Sequence, residues 1–177
     1  MSRRKLLLAA VLVGLASIVV VGAILARDTG PAEPVASSGQ GSAALSVEGT
    51  DPVTGDEVSL ARFAGKPVVL TIWASWCPGC NAEARTLARF ADEHPEAGFF
   101  GVDFQDTKED ARGFYRKYGW RFPSAFDPEG RIAGALGLQG TPTTIFLNAQ
   151  HREVARIVGE TDRAGLADGL ERATADA

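Results

Sequence analysis

The chain has 177 residues, of which 45% are hydrophobic and 23% are charged, and its formal net charge is −4 at pH 7. These proportions are ordinary for a globular protein, and the length suits one domain with appended segments. The sequence shows no basic stripe and no interleaving of aromatic and basic residues, so a nucleic-acid-binding protein is not expected.

A membrane anchor is the first element that the sequence predicts. Residues 6–26 carry no charge and are numerous enough to cross the hydrocarbon core as a transmembrane helix. Basic residues at positions 3–5 favour a cytoplasmic N-terminus, so the remainder is expected on the extracytoplasmic side of the cell membrane, as in a single-pass protein. A cleaved signal peptide, which would leave the domain secreted, is the alternative, although its apolar core normally spans only about 7–15 residues.

A flexible linker is predicted at residues 28–44, because this stretch is rich in Gly, Pro, Ser and Ala and lacks apolar residues that could pack. The chain is thus divided into an anchor segment over residues 1–27, this linker, and a folded domain over residues 45–177. Both possible fates of the N-terminal segment export the domain, and disulfides persist more readily there than in a cytosol.

The folded part alternates strand-like and helix-like patterns. A hairpin around TDPVTG comes first, and the apolar run PVVLTIW at 67–73 predicts a strand that is covered on both faces. Helices are predicted at 78–93, from the spacing of apolar residues, and at 107–119, where a Thr cap and acidic residues open the segment and basic residues and Gly close it. The remaining predictions are a strand at 98–104, an extended stretch at 120–127, a turn and short helix at 127–138, strands at 141–148 and 152–159, and a closing helix at 161–175. This order predicts an α/β three-layer sandwich.

Cys77 and Cys80 are the only cysteines in the chain, and two residues separate them in WASWCPGC. Pro78 suits the first position of a helix, which places Cys77 at the N-cap and Cys80 one turn further along the same face. A thiolate at an N-cap lies at the positive end of the helix dipole, and its pKa is commonly lowered from about 8.5 to between about 3.5 and 7.5. The arrangement favours thiol–disulfide exchange, in which Cys77 reacts with the substrate and the less exposed Cys80 resolves the mixed disulfide.

Three other uses of the cysteines fit less well. A purely structural disulfide would close a four-residue loop and stabilise the fold by only about 2 kcal/mol. A zinc site needs four ligands as a rule, and His94 and His151 fit no ligand spacing. Covalent haem attachment requires His directly after the second cysteine, where this chain has Asn81.

The segment WASWCPGC after a buried strand, followed about sixty residues later by GTPTTIFL, resembles the thioredoxin superfamily. The N-terminal anchor, the initial hairpin and the stretch from Phe122-Pro123 to Asp127 are similar to the membrane-anchored TlpA, ResA and CcmG (DsbE) proteins. This resemblance implies a thioredoxin-like three-layer α/β/α sandwich with an N-terminal β-hairpin, preceded by one transmembrane helix. It also implies that Cys77 is the surface nucleophile and Cys80 the resolving thiol of a redox-active disulfide.

The resemblance extends to residues around the predicted disulfide. It implies that Pro142 is a cis-proline beside the cysteines and that the backbone of Thr141 is free to pair with a substrate strand. Trp76, next to Cys77, is expected to be partly exposed and to line the substrate surface, whereas Trp73 is expected in the core.

The sequence departs from cytosolic thioredoxins at two places. Thr71 stands where those proteins carry a buried Asp, so another group must exchange protons with Cys80. Glu83 is the candidate, because it follows Cys80 by one helical turn, ResA-like proteins have an acidic residue there, and burial raises a carboxyl pKa. A solvated helix glutamate is the alternative. The dipeptide Pro78-Gly79 reverses the Gly-Pro of thioredoxin and leaves the reduction potential and the direction of electron flow open.

The predicted function is an extracytoplasmic thiol–disulfide oxidoreductase, with a preference for a reductase of exported protein thiols such as apocytochrome c. A Dsb-like oxidase that introduces disulfides is the first alternative, and a non-catalytic metal or haem chaperone is an alternative of another class. No cofactor and no metal are predicted, because the cysteine pair is itself the redox group. The predicted partners are exported protein thiols or disulfides and a membrane-embedded electron donor or acceptor.

Overall fold

A computed structural model describes residues 43–175 of the chain. The predicted anchor at 6–26 and nearly all of the predicted linker lie outside these residues. Among the helices within 43–175, none has the length and hydrophobicity to cross a membrane.

The described part begins with the predicted hairpin, formed by β1 (Glu48–Thr50) and β2 (Glu57–Ser59). A 3₁₀ turn at Leu60–Phe63 follows. The later elements are β3 (Val68–Trp73), α1 (Pro78–Glu93), β4 (Gly98–Phe104), α2 (Lys108–Tyr118), β5 (Ser124–Asp127), α3 (Arg131–Ala135), β6 (Thr143–Leu147), β7 (Glu153–Val158) and α4 (Arg163–Ala175). The helix predicted at 78–93 and the strand predicted at 98–104 are confirmed at both ends, and the other predicted elements are present within a few residues of their expected bounds.

Five strands form the main sheet in the order β5-β4-β3-β6-β7. The strands β3, β4 and β5 run parallel, whereas β6 is antiparallel to both β3 and β7. All six residues of the central strand β3 are buried, as its continuous apolar sequence predicted. The hairpin packs β1 against the edge strand β5, where Gly49 lies so close to Ala125 that a Cβ on Gly49 would stand 2.9 Å from the alanine methyl group.

Side chains alternate between two apolar layers, one on each face of the sheet. One layer contains Val69 and Trp73 of β3 with buried residues of α1, α2 and α4. The other contains Leu70 and Ile72 of β3 with buried residues of α3 and the hairpin. The thioredoxin-like α/β fold is thereby confirmed, and the carboxyl end of β3 leads directly into the segment that carries the cysteines.

Candidate functional site

The two cysteines lie where β3 passes into α1. Cys77 is the N-cap of α1 and Pro78 is its first residue, as the sequence predicted. Cys77 and Cys80 form a disulfide, with their Cα atoms 5.2 Å apart. The backbone N–H of Cys80 donates to Cys77 Sγ at 3.2 Å, so the helix N-terminus already offers a hydrogen bond to this sulfur.

Both cysteines are buried in the disulfide form. Cys77 is 2% exposed and Cys80 1%, which contradicts the expectation that Cys77 lies at the surface. The physical reason is that both belong to the apolar layer between α1 and the sheet. The exposed group here is Trp76, at 54%, whose indole N–H donates to the backbone oxygen of Gln105. Trp73 is fully buried, as expected.

Two polar side chains hold the loop between β3 and α1. The carboxylate of Asp106 accepts hydrogen bonds from Ser75 N–H at 2.6 Å and from Ser75 Oγ at 2.8 Å. The amide of Asn81 donates to the backbone oxygens of Ser75 and Cys77 at 2.7 and 2.9 Å. Sequence reasoning missed both residues. The position of Asp106 just after β4 could have indicated that it lies near the loop before Cys77, because the carboxyl ends of parallel strands meet at one edge of the sheet.

Pro142 lies against the dipeptide between the cysteines. The Thr141–Pro142 peptide bond is cis, as predicted. A Cβ on Gly79 would stand 3.0 Å from Pro142 Cδ, so glycine at this position allows the close approach of the two segments. The carbonyl of Pro142 accepts a hydrogen bond from Gly159 N–H at 2.8 Å. Thr141 is half-buried beside Pro142, and the roles of both residues in substrate binding stay predictions.

Glu83 is only 4% exposed, on the face of α1 that packs inward. One of its carboxylate oxygens accepts a hydrogen bond from Thr161 N–H at 2.8 Å. Burial raises the pKa of Glu83 to about 7, with the Thr161 hydrogen bond lowering it and the charge of Glu160 raising it. The alternative of a solvated helix glutamate is therefore wrong, while proton exchange between Glu83 and Cys80 stays a prediction.

Thr71, at the position of the thioredoxin aspartate, is buried, and its hydroxyl has no hydrogen-bond partner among residues 43–175.

In the same part of the chain, no three His, Cys, Asp or Glu side chains are grouped so that they could hold a metal ion. The arrangement of a disulfide, a helix N-terminus and a buried acid suits exchange between thiols and disulfides.

Comparison with known proteins places this arrangement in a family. Residues 41–155 match the AhpC/TSA family. The chain belongs to the AhpC/TSA family.

A curated relative is the thiol-disulfide oxidoreductase ResA of Bacillus thuringiensis (strain Al Hakam), which is 28% identical over 122 residues, or 68% of this chain and 70% of that protein. Among solved structures, a secreted Mycobacterium tuberculosis disulfide oxidoreductase homologous to E. coli DsbE is 26% identical, with a TM-score of 0.65 over 71% of this chain and 94% of that one. A DsbF homologue from Corynebacterium diphtheriae is 31% identical, with a TM-score of 0.67 over 71% of this chain and 83% of that one.

These findings confirm the resemblance to the thioredoxin superfamily that the cysteine motif indicated. Within the AhpC/TSA family, the chain is similar to the ResA and DsbE proteins, and it is a thiol–disulfide oxidoreductase whose cysteine pair is redox-active.

Proposed function

We propose that this protein is an extracytoplasmic disulfide reductase of exported proteins, with the haem-binding cysteines of apocytochrome c as its substrate. The observation that carries the proposal is Glu83, a buried acid one helical turn beyond Cys80 whose pKa of about 7 lets it take up or release a proton near neutral pH. The extracytoplasmic site is supported by the secreted mycobacterial relative and by the uncharged segment at residues 6–26, proposed as a single-pass anchor.

The first step is attack on the substrate. The Cys77 thiolate, stabilised at the N-terminus of α1, attacks a substrate disulfide, forms a mixed disulfide and releases the first substrate thiolate. Trp76 and the segment Thr141-Pro142 flank the cysteines and are the proposed contacts for an extended substrate strand.

The second step resolves the mixed disulfide. Cys80 passes its proton to Glu83 and attacks Cys77 Sγ, which releases the second substrate thiolate and forms the Cys77–Cys80 disulfide. Two electrons thereby pass from the cysteine pair to the substrate. The pair must then be reduced again, so a membrane-embedded electron donor is the proposed second partner.

Trapping tests the roles of the two cysteines. The full-length Cys80→Ser protein, incubated with an oxidised peptide that contains a Cys-x-x-Cys-His motif, is expected to accumulate a mixed disulfide through Cys77, because the resolving thiol is gone. The Cys77→Ser protein is the matched control and should form none. A Cys80→Ser protein that captures no peptide would contradict the assignment of Cys77 as nucleophile.

The direction of electron flow is tested by measuring the reduction potential of the Cys77–Cys80 couple. The protein is equilibrated with glutathione or dithiothreitol of known potential, and the fraction of oxidised protein is determined. A potential near or below about −220 mV would support the reductase. A potential near about −120 mV would instead favour the Dsb-like oxidase, with the same residues at the site.

A further inference from the structure

Asp103, near the carboxyl end of β4, has no part in the exchange mechanism but is a fully buried ionisable group. Its exposed fraction is 0%, and within residues 43–175 its carboxyl oxygens have no hydrogen-bond partner other than the neighbouring carboxyl group of Asp106. A buried carboxyl group to which no N–H or hydroxyl group donates is rare, because the lost hydration is not replaced. Such a residue calls for a physical explanation.

The position of Asp103 relates it to the loop that carries Cys77. Asp103 pairs in register with Trp73, the last residue of β3. It shares a sheet face with Phe99, since side chains two or four positions apart along a strand point the same way, and Phe99 belongs to the apolar layer that contains both cysteines. Asp103 therefore lies on the cysteine side of the sheet, where β3 passes into the loop. Asp106, which hydrogen-bonds Ser75 in that loop, follows Asp103 by three residues.

The groups that interact electrostatically with Asp103 are acidic or neutral. Burial raises the pKa of Asp103 to about 8, and the next causes are the charge of Asp106, a side-chain hydrogen bond with Asp106, and the charges of Asp51 at the hairpin turn and Asp127 at the end of β5. From α2, the hydroxyl of Tyr115 also interacts with Asp103. The other three carboxylates accept hydrogen bonds from backbone N–H groups. Within 43–175 no ion pair joins Asp103 to a basic side chain.

We propose that Asp103 is a positioning residue for the redox reaction: as a neutral acid, it allows Asp106 to keep its hydrogen bonds to Ser75 and so holds the loop that carries Cys77. When Asp103 loses its proton, its carboxylate and that of Asp106 carry like charges and repel each other. Asp103 is enclosed in the sheet, whereas Asp106 is half-buried in a loop, so Asp106 moves and Ser75 moves with it. The inference rests on the proposed function only through the role of Cys77 as nucleophile.

The first test is alkylation of Cys77 in the full-length Cys80→Ser protein, where Cys77 is the sole thiol. The rate of reaction with iodoacetamide is measured between about pH 6 and 10. We expect a first rise as the thiolate forms and a second, several-fold rise near pH 8, because the loosened loop uncovers the buried sulfur. Adding Asp103→Asn, in which the amide stands in for the neutral acid, should leave the first rise and abolish the second. A second rise of the same size in the Asp103→Asn protein would overturn the proposal.

A second measurement observes the loop directly and does not require a variant at Asp103. The Ser75 amide proton, which donates to Asp106, should change its NMR chemical shift with a midpoint near pH 8. In an Asp106→Asn protein, which keeps an oxygen acceptor but loses the charge, this pH-dependent change should disappear. A Ser75 signal that stays constant through pH 8 in the parent protein would refute the proposal.

Neither measurement needs a protein substrate. If the Cys80→Ser protein captures no peptide but both pH effects appear, the role of Cys77 as nucleophile fails, and the control of the loop before Cys77 by Asp103 and Asp106 stands. If peptide is captured and the pH effects are absent, the role of Asp103 fails and the proposed function stands.

Discussion

Glu83 is the ionisable side chain whose surroundings bear most directly on the cysteines. Its carboxyl group is buried on α1, one turn beyond Cys80, and it accepts a hydrogen bond from Thr161 in the loop between β7 and α4. Because its pKa is raised to about 7, it changes its charge at neutral pH, where an exposed glutamate is fully ionised. This property suits a group that takes the proton of the resolving thiol.

Glu83→Gln is expected to slow resolution of a mixed disulfide. The amide can still accept the Thr161 hydrogen bond but cannot accept a proton from Cys80, so the loss should be on the order of 10²-fold, within the usual range for general base catalysis. The measurement is the rate at which Cys80 releases glutathione from Cys77, followed against pH. The parent rate should rise through about pH 7, and this rise should be absent in the variant.

Glu93→Gln provides a matched control on the same helix, because Glu93 is exposed and pairs with Arg163. It should resolve the mixed disulfide at the parent rate. Equal rates for the parent and Glu83→Gln proteins would show that another group takes the proton.

Glu160 offers a second, independent test of this assignment. It is exposed beside Gly79, and its negative charge raises the pKa of Glu83. Glu160→Gln should therefore move the midpoint of the resolution profile to lower pH without abolishing the rise. A shift toward higher pH would be inconsistent with the electrostatic coupling of these two carboxyl groups.

Close contact between α4 and the sheet depends on a glycine. A Cβ on Gly169 of α4 would overlap the ring of Phe146 in β6, so the helix can lie against the strand only because the side chain is absent. Gly113 in α2 is different, because a Cβ there would have no atom within 4 Å. Packing therefore requires glycine at position 169 in α4, whereas no neighbouring atom requires glycine at position 113 in α2.

Alanine substitutions at these two positions should change stability in opposite directions. Gly169→Ala is expected to destabilise the fold by about 1–3 kcal/mol through overpacking. Gly113→Ala should stabilise it by about 0.5–1 kcal/mol, because alanine loses less conformational entropy in a helix. Denaturant unfolding of the two variants and the parent measures both changes. A Gly169→Ala protein as stable as the parent would show that α4 can shift without cost.

At the scale of the folded domain, residues 43–175 contain two buried carboxyl groups whose pKa values are raised, Glu83 to about 7 and Asp103 to about 8. In the unfolded chain both titrate near their ordinary values of 4.5 and 3.8. At a pH between its ordinary and its raised pKa, each carboxyl group keeps its proton in the folded state but has lost it in the unfolded state. The free energy of unfolding therefore decreases as pH rises through this window and levels off above about pH 8.

The stability of the oxidised protein should accordingly fall between about pH 4 and pH 8. Each pKa unit corresponds to about 1.4 kcal/mol, so the combined loss is several kcal/mol. Glu83→Gln and Asp103→Asn should each flatten part of the decrease, and the double variant should flatten most of it. Denaturant unfolding at a series of pH values measures the slope. A parent protein whose stability is constant across this range would contradict the raised pKa values of both acids.

Local patterns were sufficient to predict the elements and the cysteine chemistry. The continuous apolar run of β3, the Cys-Pro start of α1 and the caps of α2 act within a few residues, so the sequence alone determined them. The motif around Cys77 and Cys80 also indicated the enzyme class, because two thiols at a helix N-terminus have few other uses. The anchor at residues 6–26 stays a prediction from the same kind of local pattern.

The tertiary structure alone decided the environment of the site. Glu83 is hydrogen-bonded by Thr161, 78 positions away, and the loop before Cys77 is held by Asp106, 31 positions beyond Ser75. Burial of both sulfurs and of Asp103 likewise depends on how α1 and α2 pack on the sheet. The charge that a carboxyl group carries at neutral pH depends on its exposure and neighbours, and these arise only when distant segments pack together.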